Sequence, residues 1–296
     1  METIERDYAA FGVQFVYVYK ALAHPENSGY VQPFTLDERL LHVKEAERTL
    51  GSQFTWICDN MKNDLKHNLG NAPNSEFIID PDGKVVRKRA WSSPASVRRD
   101  LEELIFPVEF PTRVSDLNMK TAPPPKVAAS GVVKRVSRPS GAQALKLEPV
   151  MKKGALPFYA KLRAEVSEST LRNGEGKMYV GFHMDPLYHV HWNNLTKPIE
   201  VTFLWSVDGD KDVTSDDRVS PAKLVGPKPE VAADIDPREF LVDLKFDEDD
   251  RKPLRIKVKY FACNDEQGWC VPLTQEYVIH LERDRDGGRA SNRRRR

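Results

Sequence analysis

The chain has 296 residues, 40% of them hydrophobic, with 45 Lys and Arg against 44 Asp and Glu. That length and apolar content suit about two domains with a sizeable core. The near-zero net charge of +1 argues against a nucleic-acid protein ruled by a basic field, and no stretch approaches a membrane span.

Residues 1 to about 108 alternate helix and strand signals. The charged start, Met1-Glu-Thr-Ile-Glu-Arg-Asp7, is helix-like and lacks an apolar signal segment, which read literally gives a cytoplasmic chain. Gln14-Phe-Val-Tyr-Val-Tyr19 predicts a strand. Thr35-Leu-Asp-Glu38 is a capping box opening a helix to about Leu50, stopped by Gly51. Phe54-Thr-Trp-Ile57 predicts a second strand and Met61 to Leu69 a short helix. Phe77-Ile-Ile79 and Lys84-Val-Val-Arg87 flank a turn at Asp80-Pro-Asp-Gly83. Ser93-Pro94 then starts a helix through Leu104, with Pro in the first turn.

This order resembles the carboxy-terminal part of a thioredoxin fold. Phe15-Val-Tyr-Val-Tyr19 followed by Ala23-His24-Pro25 is similar to the iodothyronine deiodinase branch of thioredoxin-like proteins. The resemblance implies a site edge at His24, Cys58 and Pro73, with a cis bond at Ala72-Pro73 just before the Phe77 strand. The family's Cys-x-x-Cys or selenocysteine segment, and the central strand before it, have no counterpart in the thirteen residues upstream of the Phe15 strand. The domain is therefore expected to be an incomplete thioredoxin-like unit whose true start lies upstream, with strands left unpaired where the central one is missing. Cys58 precedes Asp59-Asn60, which reads as a helix N-cap. A helix amino terminus lowers a thiol pKa, although a small buried residue at a strand end is the commoner situation.

Residues 109 to 155 hold few large apolar side chains between Thr121-Ala-Pro-Pro-Pro-Lys126 and Ser137-Arg-Pro-Ser-Gly141, and read as a Pro-rich linker. From 156 to 284 short strands with turns follow, at Tyr159 to Val166, Met178 to Phe182, Ile199 to Trp205 and Phe240 to Leu244. Such spacing suggests an immunoglobulin-like sandwich. Asp208-Gly-Asp-Lys-Asp212 lacks the length and closing glutamate of a calcium loop and reads as a hairpin tip. Residues 285 to 296, ending in four arginines, read as a disordered basic tail.

The chemistry concentrates near the end of the chain. Leu254-Arg-Ile-Lys-Val-Lys-Tyr260 alternates apolar and basic residues and Leu273 to Leu281 is β-rich, so Cys263 and Cys270 sit at the mouth of a hairpin with six residues between them, a spacing that permits a local bridge. Opposed residues of an antiparallel pair lie about 4.5 to 5.5 Å apart at Cα, within the range of a disulfide. The pair is a structural staple, a reversible dithiol centre, or two inert thiols. Asp265 and Glu266 beside Cys263 disfavour its thiolate.

Tyr260-Phe-Ala-Cys263-Asn-Asp and Gly268-Trp-Cys270-Val-Pro-Leu-Thr-Gln-Glu-Tyr277 resemble the cysteine hairpin of the amino-terminal domain of the thiol:disulfide interchange protein DsbD, with a loop one residue longer. The resemblance implies a redox-active pair, Cys263 and Cys270, with Trp269, Pro272 and Asp265 as neighbours. It also implies a thiol-disulfide oxidoreductase with a protein thiol or disulfide partner in a periplasmic or other extracytoplasmic compartment, where disulfides persist. No cofactor and no nucleic-acid partner are expected. His183-Met-Asp-Pro-Leu-Tyr-His189-Val-His191-Trp offers a second possibility, a metal held by His183, His189 and His191, since His189 and His191 share a face if they lie on one strand. The alternatives to redox exchange are a non-catalytic or metal-binding interaction module, and a deiodinase-like reductase if a nucleophile lies upstream.

Overall fold

The computed structural model describes residues 1–25, 29–70, 72–123, 126–205, 214–247 and 251–288; the acidic stretch at 208–212 and the tail from 289 onward lie outside them. The chain divides into two units, one of residues 1–21 and 33–124, the other of residues 22–32 and 125–296.

The first unit is mixed α/β. Helix α1 (Glu2–Tyr8) is followed by β1 (Val16–Tyr19), α2 (Leu36–Leu50), β2 (Thr55–Cys58), α3 (Asp64–Leu69), β3 (Glu76–Ile79), β4 (Val85–Arg89) and α4 (Pro94–Leu104). The capping box at α2 forms in a shifted version: Thr35 accepts from the Glu38 N–H at 3.1 Å, while the Glu38 carboxylate accepts from Phe34 N–H instead of Thr35 N–H. Gly51 closes α2 at φ 64°, where its Cβ would also meet the Lys120 backbone at 3.0 Å, so glycine is required twice over. Strands β1 and β2 pair in parallel across the α2 crossover, from Val16↔Thr55 to Tyr19↔Cys58. Strands β3 and β4 form a separate antiparallel hairpin, so the described strands of this unit make two two-stranded sheets rather than one. Ile4 and Tyr8 of α1 pack against Val97 and Leu101 of α4. Arg89 joins β4 to α4 through Asp100 and to β3 through Glu76. The Ala72-Pro73 bond is trans; the cis peptide among the described residues is Ser220-Pro221.

The second unit is β-rich. Its strands are β5 (Ala142–Pro149), β6 (Ala160–Ser167), β7 (Glu175–Met184), β8 (His191–Asn193), β9 (Glu200–Trp205), β10 (Thr214–Ser215), β11 (Val219–Ser220), β12 (Lys223–Val225), β13 (Ala233–Asp234), β14 (Arg238–Lys245), β15 (Leu254–Asn264) and β16 (Trp269–Arg283), with a short helix α5 (Glu168–Asn173) after β6. They form two antiparallel sheets bridged by β5, whose residues 142–144 pair with β6 while 145–149 pair with β16. One sheet runs β10-β9-β15-β16-β5 with β12, β8 and β13 at its side; the other runs β5-β6-β7-β14-β11.

The inner faces meet where the Tyr260 hydroxyl accepts from the Ala160 N–H at 3.1 Å and the Tyr277 hydroxyl donates to the Ala160 carbonyl at 2.7 Å. Phe182 of β7 lies 6.3 Å from Tyr277 of β16, ring to ring. Ile256, Val258, Ile279 and Val242 fill the same interior and are buried. Removing such side chains from water is the main stabilising term, roughly 1.5–3 kcal/mol for each large residue.

The outer face of the second sheet is also buried, and it is polar. Lys161, Arg163 and Glu165 of β6 stand beside Tyr179 and His183 of β7 and Glu239 of β14. Gly181 sits between Tyr179 and His183 because a Cβ there would fall 2.3 Å from the Tyr179 hydroxyl. That hydroxyl donates to Glu239 at 2.7 Å and lies 3.3 Å from His183 Nε2.

The segment read as a linker covers this face. Asp236 accepts the backbone N–H groups of Gly131, Val132 and Val133, Glu239 takes Arg135 in a two-pronged pair at 2.7 Å and the Val136 N–H, and Arg138 stacks 4.7 Å from the Tyr179 ring centre. Residues 131–138 are thus a bound strap, and 142–149 a strand. Hydropathy missed the strap because backbone N–H groups and arginines hold it, where an apolar stripe would have been visible. The tail boundary moves too, since Arg163 donates to the Gly287 carbonyl at 2.9 Å.

Candidate functional site: the cysteine hairpin

Strands β15 and β16 run antiparallel from Leu254↔Ile279 to Asn264↔Trp269, with Cys263 directly opposite Cys270. The two sulfurs form a disulfide. The ladder continues past the cysteines, so the loop is the four residues Asp265–Gly268 rather than six. Gly268 supplies the positive φ of 69°, and Asn264 Oδ1 accepts the Gln267 N–H at 2.8 Å.

The two sulfurs differ in environment. Strand β8 pairs along the end of β15, placing Trp192 opposite Ala262 and His191 opposite Cys263. Cys263 is buried at 5% exposure, whereas Cys270 is exposed. Asn193, next along β8, donates from Nδ2 to Cys270 Sγ at 3.2 Å. Its Oδ1 accepts the Leu195 N–H at 3.0 Å, which fixes the amide with its NH2 toward the sulfur.

The remaining neighbours frame this pair. Trp269 lies 5.2 Å from Tyr159, ring to ring, and its indole N–H donates to Gln267. Tyr159 in turn meets Tyr188 edge-on at 5.1 Å. Asp265 is 3.0 Å from His191 Nε2, while His191 Nδ1 is 3.0 Å from the Trp192 carbonyl, so both ring nitrogens face acceptors. Glu266 is 2.8 Å from His189 Nδ1. The two acids that the sequence placed against Cys263 are thus turned toward histidines. Pro272 is exposed, opposite Phe261, two residues from Cys270 on the same face of the strand.

The three histidines do not come together. His189 closes a 3-10 turn in the left-handed region at φ 52°, so it does not share a strand face with His191. His183 is on the outer face of the other sheet, bound to Tyr179, with burial pushing its pKa down to about 3. Among the described residues no group of three or more His, Cys, Asp or Glu is arranged to hold a metal ion.

The residues of the deiodinase-like edge are divided between the units: Cys58 and Pro73 belong to the first, whereas His24 belongs to the segment 22–32 of the second. Cys58, opposite Tyr19 at the end of β2, has its thiol pKa raised by burial, and Asp59 adds to this against the lowering effect of Arg39. Helix α3 begins later than expected, with Asn63 at its N-cap, but the Asp59 carboxylate still accepts the Leu65 and Lys66 N–H groups of its first turn. The helix terminus is therefore occupied by the Asp59 carboxylate.

The sequence reading assigned no role to Asn193, Tyr159 or Gln267. Asn193 lies in a Trp-Asn-Asn run that is visible in sequence, yet its aim at Cys270 depends on the docking of β8. Compared with models of protein families, with curated proteins and with solved structures, the chain matches none. Among the described residues no helix is long and apolar enough to cross a membrane.

Proposed function

We propose that the protein performs thiol-disulfide exchange through Cys263 and Cys270. The observation that carries this reading is the asymmetry of the bridge: Cys263 is buried where β8 pairs alongside it, whereas Cys270 is an exposed residue whose sulfur receives an amide N–H. A partner thiolate attacks Cys270 Sγ, the Cys263–Cys270 bond breaks, and Cys263 leaves with the electron pair and takes up a proton. A second partner thiol, as thiolate, then attacks the partner sulfur of the mixed disulfide and releases Cys270 as a thiolate held by Asn193. The partner dithiol loses two electrons and two protons; the hairpin pair gains both electrons and, at Cys263, one proton, and the other proton passes to solvent for as long as Cys270 stays a thiolate. An N–H donor to a thiolate stabilises the charged form, which favours Cys270 as the leaving group of the second step.

On this reading the second unit is a DsbD-type immunoglobulin-like sandwich, supported by its two antiparallel sheets and its cysteine hairpin. The first is a partial thioredoxin-like unit, supported by the parallel β1–α2–β2 crossover followed by the β3–β4 hairpin and α4. An oxidising compartment and a dithiol protein partner follow from the same proposal.

The test is a redox titration in glutathione buffers, trapping thiols by alkylation and weighing the intact chain. A pair that titrates near the potentials of exchange proteins supports the reading; a bridge reduced only below about −300 mV is a staple and overturns it. Cys263→Ala should leave Cys270 able to form a stable mixed disulfide, and Cys270→Ala should leave a shielded Cys263 that reacts far more slowly.

A further inference from the structure

The face of β15 and β16 that carries the disulfide continues along the sheet. Directly opposed residues share a face, and alternate residues return to it. From the tip inward the successive pairs are therefore Cys263 with Cys270, Phe261 with Pro272, Lys259 with Thr274, Lys257 with Glu276 and Arg255 with Val278. The neighbouring β9 and β12 place Glu200 opposite Lys259, Thr202 opposite Lys257, and Lys223 opposite Thr202. Lys223, Lys257 and Lys259, with Glu200 and Thr202, line a shallow cleft there. Arg255 is drawn to Glu276 at 3.8 Å, whereas among the described residues none of the three lysines enters an ion pair.

This stripe has an order. The exposed Cys270 comes first, then an apolar step of Phe261 and Pro272, then a basic field in which five cations (Lys152, Lys223, Arg255, Lys257, Lys259) meet three carboxylates (Glu148, Glu200, Glu276). Lys259 and Lys257 stand four and six residues from Cys263, about 13 and 20 Å along the strand at roughly 3.3 Å per residue. The cations form a row, which suits a run of side chains better than one small anion. On the other side of the disulfide the tip is acidic, with Asp265 and Glu266 well exposed.

We propose that this stripe is the docking track for the partner that exchanges with Cys270, and that the partner presents carboxylates about four to six residues from its reactive cysteine. The inference rests on the exchange reading above and names the partner's chemistry. Opposite charge along the track raises the encounter rate and sets the direction in which the partner lies, with its acidic stretch over the lysines and away from Asp265 and Glu266. The apolar pair gives the residues next to the partner cysteine a dry contact.

Three synthetic peptides test it: Cys-Gly-Ser-Thr-Glu-Thr-Glu and its counterparts with Gln or Lys in place of both Glu. Each is scored by its second-order rate of reduction of the Cys263–Cys270 bridge, divided by its rate with hydroxyethyl disulfide so that differences in thiol acidity cancel. At about 20 mM salt the Glu peptide should lead the Lys peptide by about fivefold or more, with the Gln peptide between, and the rates should converge at about 0.5 M salt. Lys257→Gln/Lys259→Gln should abolish the preference while leaving reduction by neutral dithiothreitol unchanged. Equal rates for the three peptides at low salt, or a lead for the Lys peptide, would overturn the docking track. Dithiothreitol also separates the two levels. If it reduces the bridge readily and peptide charge has no effect, only the track fails; if it cannot reduce the bridge, the exchange reading itself fails.

Discussion

Asp234→Asn should be among the most damaging single substitutions in the second unit, and the reason can be read atom by atom. Asp234 has no exposed surface and Arg238 has 2%. Arg238 donates to both Asp234 oxygens, at 2.9 and 2.7 Å, and Asn194 Nδ2 and the Asp236 N–H complete the set at 2.6 and 2.9 Å. Burial works to raise the pKa of Asp234, but the Arg238 and Asn194 hydrogen bonds outweigh it, so the carboxyl lies below its ordinary value of 3.8. Asparagine keeps the shape, removes the charge and turns an NH2 toward donors. Arg238 is then a buried cation left with the Asn194 and Asp236 oxygens and the face of Trp192.

Breaking one side of such a pair costs about 3–5 kcal/mol, a large part of the roughly 5–15 kcal/mol that holds a domain. Guanidinium unfolding followed by tryptophan fluorescence measures it, since Trp192 lies 4.9 Å from the guanidinium. The double variant Asp234→Leu/Arg238→Met, which removes both charges, should recover most of the loss. A single-variant loss below about 1 kcal/mol, or a double variant as unstable as the single, would refute the reasoning. The site is coupled to this pair because Asp234 and Ala233 pair with Trp192 and Asn193 of β8.

Reduction of the Cys263–Cys270 bridge should lower stability by about 2–3 kcal/mol, from the entropy returned to a loop this short, as read by unfolding with and without dithiothreitol; no change would show that the ladder alone constrains the tip. His183 has a folded pKa far below its unfolded value of 6.5, so its contribution is fully present above pH 6.5 and is lost as pH falls toward about 3. The slope should approach about 1.4 kcal/mol per pH unit in that window, and His183→Gln should flatten it; an unchanged slope in unfolding curves across pH would assign the effect elsewhere. Glu239→Gln should free Arg135 and the Val136 N–H at a cost of about 1.5–3 kcal/mol, and trypsin should cut after Arg135 sooner than in the unaltered chain. Equal cutting rates would mean that Asp236 alone secures the strap.

Much of the local structure was legible in sequence because it depends on neighbours along the chain. Thr35 and Glu38 cap the helix they precede, Asp80 to Gly83 turns the hairpin between β3 and β4, and the alternation from Leu254 to Tyr260 marks a strand with one buried face. The spacing of Cys263 and Cys270 already placed them across that strand's hairpin. Tertiary structure decided what differs between the two cysteines. Cys263 faces the outer side of its sheet and is buried where β8, some seventy residues earlier in the chain, pairs alongside β15, sets His191 directly opposite it and brings Asn193 to Cys270. The same holds for the polar face of Lys161, Arg163, Tyr179 and Glu239, which looks like a solvated surface until residues 131–138 are laid across it by carboxylates at 236 and 239. Periodicity along a strand reports which side chains share a face, whereas burial and reactivity are set by whatever distant backbone finds its hydrogen-bond partners there.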